Sequence, residues 1–441
     1  MRFDKKSVSL VLMRLVVLSI PIQLGFHFWP PWAQLLGRRI DYLSPTIYFT
    51  DCLLIIALVS WFFELYPLRR KINTFFLRKN TALMVSVCIG IAIIALNVTT
   101  SISWQVSLYR WIKLVLFGFI TLYIATHQTE RKQYVRMVVV GAVFSSLIAI
   151  VQFGLQHSIG GIFWFVGERF FTIDTPLIAR AHVCVPFTQS CSLFLRSYGT
   201  FAHSNVLAGY LLVALFLFVT HVNQGVGIYK KRVQQIVSVG VISLFLIALG
   251  TTMSRAAIMV VSFLLLWWHI YWQEKKNHTV STMLAILFTG GIIIGALYIV
   301  PLRFIDESVV VRQKLNTFST HVITGHALYG VGLGNFTKIL SKEKNLAFFT
   351  GIQPVHNVYL LAVSELGLVG VFGLIAAFIG IWKSIEKKMK STHPDILVYK
   401  AAIIAVGILG MVDHYVWTLQ QGQLLFFVLV GLFLSSHTRR V

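Results

Sequence analysis

The chain has 441 residues, 57% of them hydrophobic and 12% charged, with a net charge of +23; its mean hydropathy is +0.78. Soluble domains carry roughly 25% charged residues, so this composition excludes a disordered chain and an ordinary soluble domain alike. It implies a polytopic membrane protein of the all-α class, one membrane domain over 1–441.

Apolar runs fall near 8–28, 46–65, 81–98, 108–126, 135–156, 204–221, 235–251, 256–273, 280–300, 356–382, 397–413 and 423–437. Each approaches the ~20 residues that cross a bilayer as a helix, so about twelve transmembrane helices are expected. The first run resembles a signal peptide, but it lacks a small-residue cleavage site before Pro21 and reads as a retained helix or signal anchor. Arg14 within it is expected to snorkel.

Basic clusters fix the orientation. Arg69-Arg70-Lys71, Arg131-Lys132, Lys230-Lys231-Arg232, Lys275-Lys276 and Lys387-Lys388 fall in alternate connections. Roughly 23 Lys and Arg lie on that side against about 14 on the other, which makes it cytoplasmic together with both termini. Two long loops, 157–203 and 301–355, then face outward. The basicity is a topology signal and an attraction to anionic membrane lipids, not a nucleic-acid footprint.

The sequence has no Walker motif, dinucleotide glycine pattern, HExxH or CxxC, so an ATP-driven pump or metalloprotease has no support. Cys184 and Cys191 share the first long loop, where an oxidising exterior permits a disulfide; the sequence does not show whether they pair. Cys52 and Cys88 lie in spans and read as core packing.

Three polar groups fall at the outer face. Arg196-Ser197-Tyr198-Gly199-Thr200-Phe201-Ala202-His203-Ser204-Asn205 runs into the sixth span. Thr251-Thr252-Met253-Ser254-Arg255 forms the short turn between spans seven and eight. His356-Asn357 opens span ten, closing a loop that carries Arg312, Lys314 and the turn-rich Gly330-Val331-Gly332-Leu333-Gly334-Asn335-Phe336.

Spans six, eight and ten all begin at that face. Each helix start offers unpaired N–H groups and about half a positive charge. Ser204 or Asn205, Ser254 and Asn357 suit as caps. With Arg196 and Arg255 added, the face suits a doubly phosphorylated anion such as a polyprenyl diphosphate carrying a glycan. A guanidinium fork stabilises the departing diphosphate, and His356 is the candidate base for the acceptor hydroxyl. The donor is already activated, so no metal and no cofactor are expected; no His/Asp/Glu cluster with metal-ligand spacing stands in the outer loops.

The plainer readings stand beside these. An arginine at a helix end is also a lipid-headgroup anchor, and a lone histidine at a span boundary is also a structural residue. His203 and His414 read as supporting polar groups or interfacial residues. Asp51, Arg110, Lys113, Glu365 and Asp413 lie in or beside spans, where charges form structural pairs or line a cavity; the sequence does not name their partners.

The segments RSYGTFAHSNVLAGYLL at 196–212, TTMSRAA at 251–257, RQKLNTFSTHVITGHALYGVGLGNF at 312–336 and HNVYLLAVSELGLVG at 356–370 together resemble the O-antigen ligase and polymerase superfamily. The resemblance implies a multi-spanning (GT-C-like) architecture and an inverting, metal-independent glycosyltransferase of bacterial surface polysaccharide. It further implies a site on the periplasmic or extracellular side of the inner membrane. The donor would be an undecaprenyl-diphosphate-linked glycan and the acceptor a saccharide, lipid or protein. By motif, Arg196 and Arg255 would bind the diphosphate and His356 would be the essential base. His203, Asn205, Ser254, Arg312 and Asn357 are candidate supporting residues; Arg312 matches the start of the family's long-loop helix, where a donor or acceptor contact and a structural role both stand open. The family often has Asn-Pro-Asn or His-Pro-Asn where this chain has His203-Ser204-Asn205. Ligase is the leading reading and polymerase the alternative. A lipid-linked oligosaccharide flippase or secondary transporter is the competitor from another class, and midplane helix breaks flanked by charges would favour it.

Overall fold

The computed structural model describes residues 7–65, 81–176, 178–184, 191–223, 231–263, 307–386 and 396–436. Helices dominate them. Three are long and apolar enough to cross a membrane, Trp104–Thr126, Gln128–Leu155 and Val358–Gly380. Shorter apolar helices cover Val8–Leu18, Met84–Thr99, Ser204–Phe218, Ile236–Thr251, Ile396–Leu409 and Gln420–Ser435. The expected span at 280–300 and the second half of that at 256–273 lie outside the described residues.

The first helix, α1 (Val8–Leu18), is shorter than the apolar run 8–28. The chain leaves the helix before Pro21, whose ring cannot continue an α-helical hydrogen-bond ladder. Residues beyond it form two small antiparallel ribbons: β1 (Gly25–His27) on β4 (Thr46–Tyr48), and β2 (Gln34–Leu35) on β3 (Arg38–Arg39). A third ribbon, β5 (Arg180–Cys184) on β6 (Cys191–Leu195), lies in the 157–203 loop. The all-α expectation is corrected to this extent. In the third ribbon Cys184 stands opposite Cys191, which is disulfide-bonded. Cys52 and Cys88 are free and exposed, on α2 (Phe49–Leu65) and α3 (Thr81–Thr99). They do not pack in the core as expected; both point away from the bundle.

The centre of the bundle is α6 (Ser204–Asn223), buried continuously from Val206 to Phe218. A helix apolar on every side belongs in the middle of its fold. The main core joins it to α1, α4 (Trp104–Thr126), α5 (Arg131–Leu155), α7 (Lys231–Thr251), α13 (Ile396–Leu409) and α15 (Gln420–Ser435). Tyr210 of α6 donates to the Val138 carbonyl of α5 at 2.9 Å. The periphery exposes Ile56, Phe62, Phe63 and Phe372, Phe63 by 68%. An apolar rim of that kind suits hydrocarbon rather than water as the surrounding solvent. In such a solvent the helices hold together by close packing and buried polar contacts.

Those polar contacts are specific. Arg14 is ion-paired with Glu130 instead of snorkelling. Lys113 is ion-paired with Asp51, whose Oδ1 accepts from Gln420 Nε2 at 2.7 Å. Arg110 donates to the carbonyls of Tyr42 and Thr418 at 2.5 and 3.0 Å.

The second long loop is largely helical: α9 (Glu307–Gly325), α10 (Phe336–Leu340) and α11 (Lys344–Thr350). It docks into a break in α12 (Val358–Glu386), where Gly367 has φ 65° and ψ 178°. The Leu368 and Val369 amides freed there donate to the carbonyls of Ala327 and Leu328 at 2.8 and 3.1 Å. Val331 and Gly332 donate in return to Ser364 and Glu365 carbonyls, both at 2.9 Å. Gly330, at φ 66°, packs directly on this break; a Cβ there would stand 2.5 Å from the Glu365 carbonyl carbon. The glycine-rich stretch is therefore a plug for a broken helix, with every broken backbone bond named here replaced.

Candidate functional site

The site lies where α6 and α12 begin, beside the turn between α7 and α8 (255–263). The link from α13 to the short α14 (Tyr415–Thr418) completes it. Backbone bonds lock these pieces together. Ser197 N donates to Thr251 O at 3.1 Å, and Val358 N donates to Gly410 O at 2.7 Å. Gly209 lets α14 approach α6, since a Cβ there would stand 2.7 Å from the Tyr415 ring carbon Cζ.

Arg196 is held at two points. Its Nε donates to Thr252 O at 2.7 Å, and one terminal nitrogen donates to Asn205 Oδ1 at 2.5 Å. Three of the five guanidinium N–H groups stay available for an anion. Asn205 continues the chain, its Nδ2 donating to Asp413 Oδ2 at 2.7 Å. Asp413 Oδ1 accepts from the His414 amide at 2.7 Å. His414 Nδ1 is 2.7 Å from Thr418 Oγ1, and its ring lies 4.8 Å, centroid to centroid, from that of His356. His356 Nε2 is 3.2 Å from Gln353 Oε1, while its Nδ1 is buried with no hydrogen-bond partner. Tyr42, from the segment after α1, covers the edge of His414 at 5.6 Å.

The caps differ from expectation at α6. His203 Nδ1 accepts from the Asn205 amide at 3.1 Å, while Ser204 Oγ is buried without a partner and the Asn205 side chain serves Arg196 and Asp413. A histidine replaces the usual small polar cap and frees the asparagine. At α12 the expectation holds: Asn357 Oδ1 accepts from the amides of Tyr359 and Leu360 at 2.9 and 3.0 Å. The Ser254 amide is held by Thr252 Oγ1 at 3.3 Å.

Three guanidinium groups and one carboxylate gather here. Burial lowers the Arg196 pKa to about 10, and the guanidinium groups of Arg312 and Arg255 act in the same direction. Arg312 and Arg255 therefore lie within electrostatic reach of Arg196. Burial likewise lowers His203 to about 4, reinforced by Arg196. His356 is pushed far below its ordinary value by burial, then by His414 and Arg312, against the opposing pull of Asp413. His414 is lowered by burial despite Asp413. Burial pushes the Asp413 carboxyl up, but His356, His414, His203 and the Asn205 hydrogen bond outweigh it and hold the group ionised. At neutral pH the site thus holds neutral imidazoles around one carboxylate, beside guanidinium groups.

Arg196, His203, Asn205, Arg255, Arg312 and His356 are thereby brought into one neighbourhood, and Asn357 and Ser254 sit at the flanking helix starts. Asp413 stands at the centre, with His414 beside it. The sequence reads His414 as a supporting polar or interfacial residue and Asp413 as a structurally paired or cavity-lining charge, but it places neither beside His356. Folding also creates a grouping that spacing hides. His356, Asp413 and His414 bring possible metal-ligating atoms within 4.8 Å of one another.

No protein-family model matches the chain, and no curated protein is significantly similar to it.

Proposed function

We propose that this chain is an O-antigen ligase-like glycosyltransferase. It moves a glycan from an undecaprenyl-diphosphate carrier to an acceptor hydroxyl at the outer face of the bacterial inner membrane. In this reading the bundle is a twelve-span, GT-C-like enzyme with both termini cytoplasmic, and the site opens on the periplasmic or extracellular side.

The observation that carries the proposal is the continuous link Arg196–Asn205–Asp413–His414, with the His356 ring tilted against that of His414. Arg196 and Arg255 grip the diphosphate, and the starts of α6 and α12 add the positive ends of their helix dipoles. The acceptor oxygen attacks the anomeric carbon from the face opposite the diphosphate. The new C–O bond forms as the sugar–phosphate bond breaks, undecaprenyl diphosphate leaves with the bonding electrons, and the acceptor proton passes to His356. The configuration inverts. Positive charge fixed beforehand stabilises the leaving diphosphate, so the step needs no metal.

The break in α12 is the kind of feature a transporter uses. Here the second long loop fills it through the bonds to Ala327, Leu328, Ser364 and Glu365. A plugged break favours a fixed reaction site over a moving gate.

The test is transfer by purified protein with a lipid-diphosphate glycan, alternative acceptors and excess chelator. One discrete jump of the glycan onto a second molecule is the expected product. A ladder in repeat units identifies the polymerase variant, and no transfer to any acceptor overturns the proposal.

A further inference from the structure

Sequence-distant residues meet at His356, Asp413 and His414 in a two-histidine, one-carboxylate arrangement. Such a donor set suits zinc and its neighbours among the divalent transition metals. In metal sites a ligating histidine typically anchors one ring nitrogen on a second group and offers the other to the ion. Both histidines here are arranged in that way. His414 Nδ1 is engaged by Thr418 Oγ1, which leaves Nε2. His356 Nε2 is engaged by Gln353, which leaves Nδ1, buried and without a hydrogen-bond partner. Asp413 is oriented by Asn205 and the His414 amide. Ligating atoms around a zinc ion stand about 3.4 Å apart, given bonds near 2.0–2.2 Å. The present spread is up to 4.8 Å, so binding would have to draw the three side chains together.

We propose that this cluster binds one divalent transition-metal ion of the zinc class, and that the bound ion switches glycan transfer off by occupying the lone pair of His356 Nδ1. The inhibitory half rests on the transferase reading above; the binding half does not. Arg196 and Arg312 repel a cation, so the ion is expected in the micromolar range and readily removed, unlike a structural zinc.

The experiment uses the full-length protein in lipid nanodiscs. Zinc chloride is titrated against a chromophoric chelator with no donor present. One equivalent is expected to bind. His414→Ala and Asp413→Asn are expected to weaken it by about tenfold or more, while His321→Ala, at an exposed position on α9, leaves it unchanged. Zinc-edge absorption spectroscopy on the wild type is expected to report nitrogen and oxygen ligands without sulfur, and it stands even if a variant fails to fold. Wild-type transfer should fall as zinc saturates the site and return on adding chelator. Absence of saturable binding, or binding equal in wild type and both site variants, overturns the site. Binding lost in the variants while saturating zinc leaves wild-type transfer intact overturns the inhibition, and with it His356 as base, but not the site.

Discussion

Asn205 is the joint between Arg196 and the carboxylate beside the imidazoles. Asn205→Leu keeps the branched four-atom skeleton of the side chain and removes both bonds, the 2.5 Å contact from Arg196 and the 2.7 Å contact to Asp413. A hydrogen bond to a charged partner contributes about 1.5–3 kcal/mol. Arg196 would lose one of its two fixed points and would no longer hold its fork towards the diphosphate. If one such bond is felt fully in the transition state, kcat/KM falls about 10- to 150-fold. Asn205→Asp makes a sharper comparison. It keeps an acceptor for Arg196 but sets a second carboxylate against Asp413, so its loss is expected to equal or exceed that of the leucine variant. The assay is transfer from a lipid-diphosphate glycan by purified protein, with kcat and KM separated and folding checked by gel filtration. Both variants folded and within threefold of wild type would refute the joint.

Arg255→Lys is expected to cost at least tenfold in transfer, because an ammonium cannot hold a phosphate through two parallel N–H bonds; full activity would mean that charge alone suffices. The depressed pKa of His356 places the acid limb of kcat/KM below the ordinary imidazole value of 6.5. A bound diphosphate offsets the arginines and raises that pKa, so the acid limb of kcat should lie at higher pH than that of kcat/KM; the reverse order contradicts the assignment. His203, His356 and His414 are all lowered in the fold, so the unfolded chain takes up their protons first. Stability should therefore decline as pH falls through about 6.5, read as a falling thermal midpoint. Gly209→Ala should displace Tyr415 and cost about 1–3 kcal/mol of stability, as overpacking does; an unchanged midpoint would remove the close-approach argument.

Much of this arrangement is legible in the sequence because it depends on helix starts, and helix starts leave marks. Asn357 caps α12 as its position predicts, and Arg196 and Arg255 flank the turns that precede their helices. What is not legible depends on contacts between distant segments. Asp413 and His414 belong to no motif, and they join His356 only once α13 is packed against α6. The break at Gly367 is hidden inside an apolar run that reads as one helix, since hydropathy records solvent preference and not backbone geometry. The segment after Pro21 reads as a continuing span because Leu24, Phe26 and Phe28 are apolar, yet Phe26 lies in the short ribbon β1 and the other two flank it. Asn205 was expected among the helix caps. Its structural use is different, because a neighbouring histidine takes the capping role.

A structure of the protein in a lipid bilayer with undecaprenyl diphosphate bound tests the central claim most directly. The account predicts the diphosphate within about 3 Å of guanidinium nitrogens of Arg196 and Arg255, with His356 facing the phosphate oxygen that would carry the sugar. A diphosphate bound at the opposite end of α6, or beyond reach of all three residues, would contradict it.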